Sequence, residues 1–421
     1  MTRRTELIHV VVVLLVSATL MATTVFVVVR TPDLIALAYW VLGTTVVGIC
    51  LVSFLVGKRY THLPPAPGGV LCIVPAYNEP QALLEATVAS LLAQTVPVDV
   101  IVIDDGSETA VVPTTDDPRV TWLRQDNTGK RGAQAAVLRA IPRDRYAFIL
   151  TVDSDSQPYP DALEHLLRAM SDPGVEAATG MIYTSNHDDN IISLAADMDI
   201  GTSCVMMRAS RSMIGALETT SGALAMYRSS LLYDYLDEYA IECGTGDDRW
   251  LSLRALLRGE VVAVAEARVE TQMPTTVRGT YRQRLRWARS WWWMLPFVFQ
   301  NLRFSQMVSP LYGLTQLLIS PICMLYITLE VIGIATGKQL VGTTMLAVVI
   351  TAYLVVRFGL SALYLVGRPH LTVVQKLRCL LIGTPAAVAL NLVLLSPTRY
   401  YALTRLADNR WQTRTVVPEA S

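Results

Sequence analysis

A chain of 421 residues that is 52% hydrophobic and only 17% charged is too apolar for an ordinary soluble protein, and its mean hydropathy is +0.39. Its 35 basic and 35 acidic residues cancel, which excludes nucleic-acid binding driven by bulk positive charge. Six cysteines without C-x-x-C spacing favour neither a zinc site nor disulfides. The composition therefore indicates a membrane protein with a reduced, cytosolic catalytic part.

The apolar excess is concentrated in five long segments. Two come early, at residues 8–29 and 34–56, and three come late, at residues 308–334, 341–366 and 377–395. Crossing a bilayer takes about 20 apolar residues, so each is a candidate span. The first is longer than the apolar part of a signal peptide, about 7–15 residues, and we expect it to be retained.

Basic residues beside these segments predict their orientation. They are Arg3 and Arg4, Lys58 and Arg59, and Arg399, Arg405, Arg410 and Arg414. The positive-inside rule places all of them in the cytoplasm of a multi-pass plasma-membrane protein. Both ends then lie on the same side, which requires an even number of spans. We therefore expect one of the five segments to be re-entrant, interfacial or split, either 377–395 or part of 308–334.

The middle of the chain alternates between predicted strands and helices, after a proline- and glycine-rich linker at residues 61–69. The strand-like runs are VLCIVPAYNE, VDVIVIDDGS, RVTWLRQDN, YAFILTVDSD and VEAATGMIY. The helical runs are ALLEATVASLLAQ, KRGAQAAVLRAI and DALEHLLRAM. This order predicts an α/β domain with a largely parallel sheet and helices on both faces.

Polar residues come just past the ends of three predicted strands. They are Asn78-Glu79, Asp104-Asp105 and Asp153-Ser154-Asp155. Ligands of open α/β sheets bind at these carboxyl ends, and acidic loops there suggest a bound cation. Asp153 and Asp155 can present oxygens to Mg²⁺ or Mn²⁺, although a simple turn has the same D-x-D pattern. Glycine-rich phosphate-binding motifs are absent from the sequence.

Two later stretches carry further candidates. In Gly246-Asp247-Asp248-Arg249-Trp250, the acidic pair either complements the dipole of a helix that begins there or holds a catalytic base. Residues 276–296 contain five arginines, four tryptophans and no acid. We expect Trp291, Trp292 and Trp293 at the membrane interface. For Gln283, Arg286 and Trp287, we expect contacts with a leaving diphosphate and a sugar ring.

Taken together, IVPAYNE, VIDDGS, DSD, GDDR and QRLRW resemble the motifs of the processive family 2 glycosyltransferases, in order and separation. That group includes hyaluronan, chitin, cellulose and rhizobial chitooligosaccharide synthases. The resemblance covers residues 70–289, and GKRGAQ, AATG and SGALAMYR are most similar to the hyaluronan and chitooligosaccharide branch. It implies a GT-A-type glycosyltransferase domain joined to an α-helical transmembrane bundle.

The resemblance also implies roles for individual residues. Asp248 corresponds to the catalytic base, supported by Asp247 and Arg249. Asp155 corresponds to the ligand of Mn²⁺ or Mg²⁺. Donor and acceptor contacts are implied for Tyr77, Glu79, Asp105, Lys130, Arg131, Asp153, Gln283, Arg286 and Trp287. The implied partners are UDP-sugar donors, a growing polysaccharide and membrane lipids, and no nucleic acid.

These patterns divide the chain into parts. We expect a transmembrane hairpin at 1–60, the linker at 61–69, the cytosolic glycosyltransferase domain at 70–275, interfacial helices at 276–305, a transmembrane bundle at 306–397 and a cytosolic tail at 398–421.

The sequence leaves two products open. The GDDR form and the short chain favour hyaluronan, made from UDP-GlcNAc and UDP-GlcA, whereas LRWARS is more similar to the chitooligosaccharide enzymes, which use UDP-GlcNAc alone. The usual S-G-P reads Ser221-Gly222-Ala223, and W-G-T-R reads Trp411-Gln412-Thr413-Arg414. The alternative functions are an enzyme that transfers one sugar to a lipid acceptor and a non-catalytic membrane receptor or transporter.

Overall fold

The computed structural model describes residues 3–30, 44, 47–48, 51–52, 60–337 and 343–406. Most of the second apolar segment lies outside these ranges, as do Lys58, Arg59 and the tail from residue 407 onward, including Arg410 and the W-Q-T-R stretch. The expectations attached to those residues stay predictions.

The described residues form one sheet of eight strands. The strands are β1 Val70–Ala76, β2 Asp99–Asp105, β3 Val120–Gln125, β4 Phe148–Thr151, β5 Ser156–Pro158, β6 Val175–Thr184, β7 Ala225–Arg228 and β8 Glu260–Thr271. Their order across the sheet is β3-β2-β1-β4-β7-β6-β8-β5. All five strands expected from the sequence are present as β1, β2, β3, β4 and β6.

Helix α1 Arg3–Arg30 precedes the α/β domain. The described helices of that domain are α2 Gln81–Leu92, α3 Gly129–Ala140, α4 Ala162–Met170, α5 Ile191–Ile200, α6 Met207–Met213, α7 Ser229–Asp234, α8 Leu236–Glu242 and α9 Asp247–Arg258. Helices α2, α3 and α4 coincide with the three helical runs expected from the sequence. After the sheet come α10 Val277–Asn301, α11 Phe304–Ala335, α12 Thr343–Val366, α13 Val373–Arg378, α14 Thr384–Leu390 and α15 Ser396–Leu403. Short π-helical segments, Gly201–Met206, Cys379–Gly383 and Asn391–Leu395, join α5 to α6, α13 to α14 and α14 to α15.

The sheet is buried on both faces because its central strands are apolar without interruption. Side chains alternate across a strand. Cys72 and Val74 of β1 therefore pack with α2 and α4 in one cluster, while Leu71 and Ile73 pack with α3 and α9 in another. The expected arrangement with helices on both faces is confirmed.

The expectation of a largely parallel sheet is correct only in part. Strands β3, β2, β1 and β4 are all parallel, and so are β6 and β8. Beyond them β7 runs antiparallel to both β4 and β6, and β5 runs antiparallel to β8. The sheet is therefore mixed. Strands β5 and β7 are only three and four residues long, too short for a recognisable pattern in the sequence.

The late apolar segments fold as helices. Within the ranges described, one helical stretch, Val373–Leu403, is both long and apolar enough to cross a membrane. It includes segment 377–395, for which a re-entrant or interfacial arrangement was one of the expectations. Helix α1 packs on α12, where a Cβ on Gly359 would come within 2.3 Å of Val16 Cγ2. The helices of the C-terminal part thus associate with the first helix of the chain.

Candidate active site

The loops that follow β1, β2 and β4 meet at one edge of the sheet. Ser154 Oγ donates a hydrogen bond to Glu79 Oε2 at 2.7 Å, which joins the loops after β4 and β1. Asn78 adopts a positive φ of 48° and accepts from the Glu108 N–H at 2.9 Å, which joins the loops after β1 and β2. The convergence of these three polar loops, expected from the sequence, is therefore present in the structure.

The two acids of the VIDDGS motif are the last residues of β2 and have different surroundings. Asp104 accepts from the Ser107 N–H at 2.9 Å and pairs with Arg124 Nη1 at 2.7 Å, so it shapes the turn that leaves the strand. Asp105 accepts from Gln125 Nε2 at 2.7 Å and from the Thr128 N–H at 2.9 Å. These bonds position Asp105 between the ends of β2 and β3 and the start of α3, on the same edge as Glu79.

Lys130 is the centre of a buried ionic network. It lies at the start of α3, and its ammonium is 2.7 Å from Asp153 Oδ1 and 3.1 Å from Asp247 Oδ2. Burial favours the neutral amine, but the surrounding carboxylates outweigh it and raise the pKa of Lys130 well above its ordinary value. One lysine therefore connects the D-x-D loop to the start of the helix that carries Asp248.

Gly222 completes this junction, although the sequence assigned it no role. Its N–H donates to Asp248 Oδ2 at 3.0 Å. A Cβ at this position would lie 2.8 Å from both Asp153 Oδ2 and Lys130 Nζ, so a larger residue here would have to displace these two side chains. The SGALAMYR motif was the available signal, because it contains this glycine among residues that match the family.

The two acids of GDDR have opposite electrostatics. Burial and the neighbouring carboxylate of Asp247 raise the pKa of Asp248 to about 7, while Lys130 and the Gly222 N–H act in the other direction. Burial also acts on Asp247, but Lys130 and Arg286 more than compensate and hold its pKa below the ordinary value. Asp247 is therefore a stable anion, whereas Asp248 exchanges a proton near neutral pH. That is the property required of a general base.

The Q-x-x-R-W helix lies directly against this site. Gly246, which precedes α9, has a φ of 100°, and a Cβ there would come within 2.4 Å of Ser290 Cβ on α10. This close approach brings the charge of Arg286 within reach of Asp247. Gln283 has a buried Oε1 that accepts no hydrogen bond from the described residues, and the side chain of Trp287 is 36% exposed.

The tryptophans that follow contact other helices of the chain. Trp292 Nε1 donates to the carbonyl oxygen of Arg399 at 2.8 Å, and Gly313 of α11 is packed on Trp291. Trp293 is 39% exposed. An interfacial position for the three remains a prediction.

Three of the predicted site residues lie at the margin of the Lys130 network. Arg249 Nη1 is 3.2 Å from Glu218 Oε1, in a separate buried cluster. Arg131 is half-buried, and its Nη1 is buried without a hydrogen bond among the described residues. Tyr77 is half-buried in the loop after β1. Their predicted roles remain predictions.

The donor set for a divalent cation is small. Asp155 Oδ1 accepts from Ser156 Oγ at 3.3 Å and from Thr271 Oγ1 at 3.2 Å, which orients the carboxylate. No group of three or more histidine, cysteine, aspartate or glutamate side chains is arranged for a metal within the described part of the chain. Mg²⁺ is commonly held by one or two carboxylates together with substrate phosphates, so this acidic edge fits such an ion.

Comparison with known proteins agrees with this geometry. The profile of "Glycosyltransferase like family 2" matches residues 66–290, a range that contains all eight strands and the acidic loops. The chain belongs to this family. It is therefore a glycosyltransferase, and Asp153, Lys130, Asp247 and Asp248 lie in its family-defining domain.

Curated relatives extend over most of the chain. An N-acetylglucosaminyltransferase from Sinorhizobium fredii is 31% identical over 370 residues, which are 83% of this chain and 84% of the relative. A hyaluronan synthase from Streptococcus pyogenes is 29% identical over 413 residues, which are 90% of this chain and 94% of the relative. The predicted similarity to the hyaluronan and rhizobial branch is confirmed.

A solved structure supports the fold. A mannosyltransferase from Pyrobaculum calidifontis, in complex with GDP-Man and Mn²⁺, superimposes with a TM-score of 0.51 and 17% identity, over 94% of this chain and 100% of that chain. At this level of identity the likeness establishes the fold alone, which is of the GT-A type.

Proposed function

We propose that this glycosyltransferase is a membrane-embedded, processive, inverting enzyme that polymerises UDP-sugars, with Asp248 as its general base. The observation that carries the proposal is the half-buried carboxylate of Asp248, which accepts a hydrogen bond from the Gly222 N–H at 3.0 Å. Burial and the charge of Asp247 raise the pKa of this carboxylate to about 7. An inverting displacement at an anomeric carbon needs one such base and no protein nucleophile.

Each neighbouring residue has a function in this reaction. Asp248 accepts the proton of the acceptor hydroxyl as that oxygen attacks the anomeric carbon. Asp247 and Lys130 fix the position of the start of α9, and Arg286 offers a positive charge to the departing diphosphate. Gln283 and Trp287 contact donor and acceptor from α10. Asp155 would hold a divalent cation, Mn²⁺ or Mg²⁺, which when bound would further stabilise the charge of the diphosphate.

For the donor sugars we propose UDP-GlcNAc and UDP-GlcA, added in alternation to give a hyaluronan-like polysaccharide. The hyaluronan synthase relative supports this because its alignment covers more of both chains than that of the N-acetylglucosaminyltransferase. The second candidate is a chitin-type polymer made from UDP-GlcNAc alone. The slightly higher identity of the rhizobial N-acetylglucosaminyltransferases, 31% in two relatives, supports that candidate.

We further propose that the helices outside the glycosyltransferase domain are embedded in a plasma membrane and that the product leaves through them. Large apolar side chains on three of these helical stretches face outward, where lipid can cover them: Leu14 is 62% exposed, Leu318 is 71% exposed and Val393 is 78% exposed. A cytosolic glycosyltransferase domain and spans on both sides of it complete this arrangement.

UDP release by the purified full-length protein tests the proposal. With Mn²⁺ present, we expect slow release from UDP-GlcNAc alone and a several-fold increase when UDP-GlcA is added. The product should be degraded by a hyaluronan lyase. If UDP-GlcA has no effect and a chitinase digests the product, the second candidate replaces the first. Transfer of a single sugar to a lipid acceptor, with no polymer formed, would contradict polymerisation itself.

A further inference from the structure

A cluster of one buried and two half-buried arginines lies beside the active site and is not used by the reaction described above. We call Arg208, Arg211, Arg249 and Glu218 the arginine cluster. Glu218 is 2% exposed, and its Oε1 is 3.2 Å from Arg249 Nη1 and 3.8 Å from Arg211 Nη1. Arg208 is 8% exposed and donates to the carbonyl oxygen of Thr220 at 3.2 Å.

The positive charge of the arginine cluster is not balanced. Two guanidinium groups, those of Arg249 and Arg211, pair with one carboxylate, and Arg208 adds a third positive charge nearby. Burial together with Arg211 and Arg208 lowers the pKa of Arg249 despite the attraction of Glu218. Arg249 Nε and Arg211 Nε are buried and make no hydrogen bond within the described part of the chain, and Arg249 Nη1 has only its ion pair with Glu218 there. Buried charged donors without partners are costly, and an anion that accepts from them removes that cost.

The position of the arginine cluster indicates where such an anion comes from. Thr220, which accepts from Arg208, also donates from its Oγ1 to the carbonyl oxygen of Asp248 at 3.3 Å. Arg249 is the next residue after Asp248 along α9. Ser309 of α11 donates to Glu218 Oε1 at 3.4 Å, so the cluster lies between the catalytic base and the apolar helices. In the proposed function the polymer leaves Asp248 toward those helices, a direction that would bring it past the arginine cluster.

We propose that the arginine cluster binds the carboxylate of a uronate residue in the acceptor chain, next to the sugar whose hydroxyl faces Asp248. This inference rests on the proposed function and deepens it by assigning the product to the acidic polysaccharides. Guanidinium groups suit a carboxylate because their planar N–H donors match its two oxygens. Neutral N-acetylglucosamine polymers offer no anion at this position.

Oligosaccharide binding to the full-length protein in nanodiscs of uncharged lipid tests this without any donor nucleotide. The probes are an oligosaccharide of alternating N-acetylglucosamine and glucuronate and an N-acetylglucosamine oligosaccharide of equal length. We expect the acidic probe to bind about tenfold more tightly, the lower end of the effect of a charge-assisted hydrogen bond. Arg211→Gln should remove most of that preference. Arg139→Gln, which removes an exposed arginine paired with Asp237, is the matched control and should not change it.

Glu218→Gln distinguishes binding from a purely structural role. Removing this carboxylate leaves three arginines for the ligand, so we expect tighter binding of the acidic probe, opposite in sign to Arg211→Gln. A structural ion network would weaken binding of both probes in both variants. Equal affinity for the two probes, or equal behaviour of the Arg211 and Arg139 variants, would overturn the proposal.

Three further outcomes are separable. If the preference is absent and an anionic phospholipid co-purifies with the wild-type protein but not with Arg211→Gln, the cluster binds a lipid phosphate and the proposal fails. If the protein releases UDP and makes polymer from UDP-GlcNAc alone without preferring the acidic probe, polymerisation holds and the uronate site fails. Absence of UDP release from any UDP-sugar, with the binding preference intact, would instead contradict the proposed function.

Discussion

Replacing Asp247 with asparagine isolates the electrostatic effect that sets the pKa of the catalytic base. Asp247 and Asp248 are adjacent on α9, and the charge of Asp247 is the largest contribution after burial to the raised pKa of Asp248. For two unit charges taken to be roughly 7 Å apart at an effective dielectric constant of about 20, the repulsion is about 2 kcal/mol. That energy corresponds to a pKa change of about 1.5.

The direction follows from the sign of each charge. Asp247→Asn removes a negative charge from beside Asp248 and leaves Lys130 with fewer carboxylates to neutralise it, and both changes favour the ionised base. Because Asp248 must be ionised to accept a proton, the rate rises with pH as this group titrates. In the wild type we expect that rise near pH 7, and in Asp247→Asn between pH 5 and 6. The burial of Asp248, which the substitution leaves in place, prevents a return to 3.8, the ordinary value.

The assay is the initial rate of UDP release at saturating donor, measured from pH 5 to 9 at constant ionic strength. Asp237→Asn, which changes an acid on α8 that is 86% exposed, is the control and should leave the profile in place. A rise that stays near pH 7 in Asp247→Asn would refute the repulsion argument. A shift to higher pH would mean that loss of the Asp247–Lys130 pair disorders the site.

The other expectations concern the base, the metal site and the junction of two helices. Asp248→Asn should keep UDP-sugar affinity, measured calorimetrically, while turnover falls about 10²–10⁴-fold, as is usual on loss of a general base; near-normal turnover would reassign the base. Asp155→Ala should abolish the Mn²⁺ dependence of UDP binding in the same calorimetric experiment, and unchanged dependence would remove Asp155 from the metal site. Gly246→Ala should lower the free energy of unfolding by about 2 kcal/mol and reduce activity, because its φ is 100° and the new Cβ meets Ser290. The melting temperature and turnover measure this, and Ser290→Gly should relieve the clash while the backbone strain remains.

The local pattern of the sequence was sufficient to predict much of the fold. Continuous apolar runs predicted β1, β2, β4 and β6, because strands buried on both faces have no polar side to reveal. The same pattern predicted that the polar loops after β1, β2 and β4 lie at one edge of the sheet. Glu79 and Ser154 are in contact there. It did not predict β5, β7 or β8. Strands β5 and β7 have three and four residues and are defined by their neighbours rather than by their own composition. Strand β8 has twelve residues, EVVAVAEARVET, and was not among the strands expected from the sequence.

The site was predicted as a set of residues, without the contacts that define their chemistry. The motifs identified Asp153, Lys130, Asp247 and Asp248 as candidates, but no spacing in the sequence indicates that one lysine pairs with both Asp153 and Asp247. The role of Gly222 depends on its distance from side chains that are far from it in the chain.

The apolar segments, the alternation of strands and helices, and the family motifs could be predicted from the amino-acid pattern alone, because they depend on neighbours along the chain. The lowered pKa of Asp247, the raised pKa of Asp248 and the arginines around Glu218 became evident only from the folded arrangement. A pKa and an unbalanced charge depend on burial and on the distances between groups, and folding sets both.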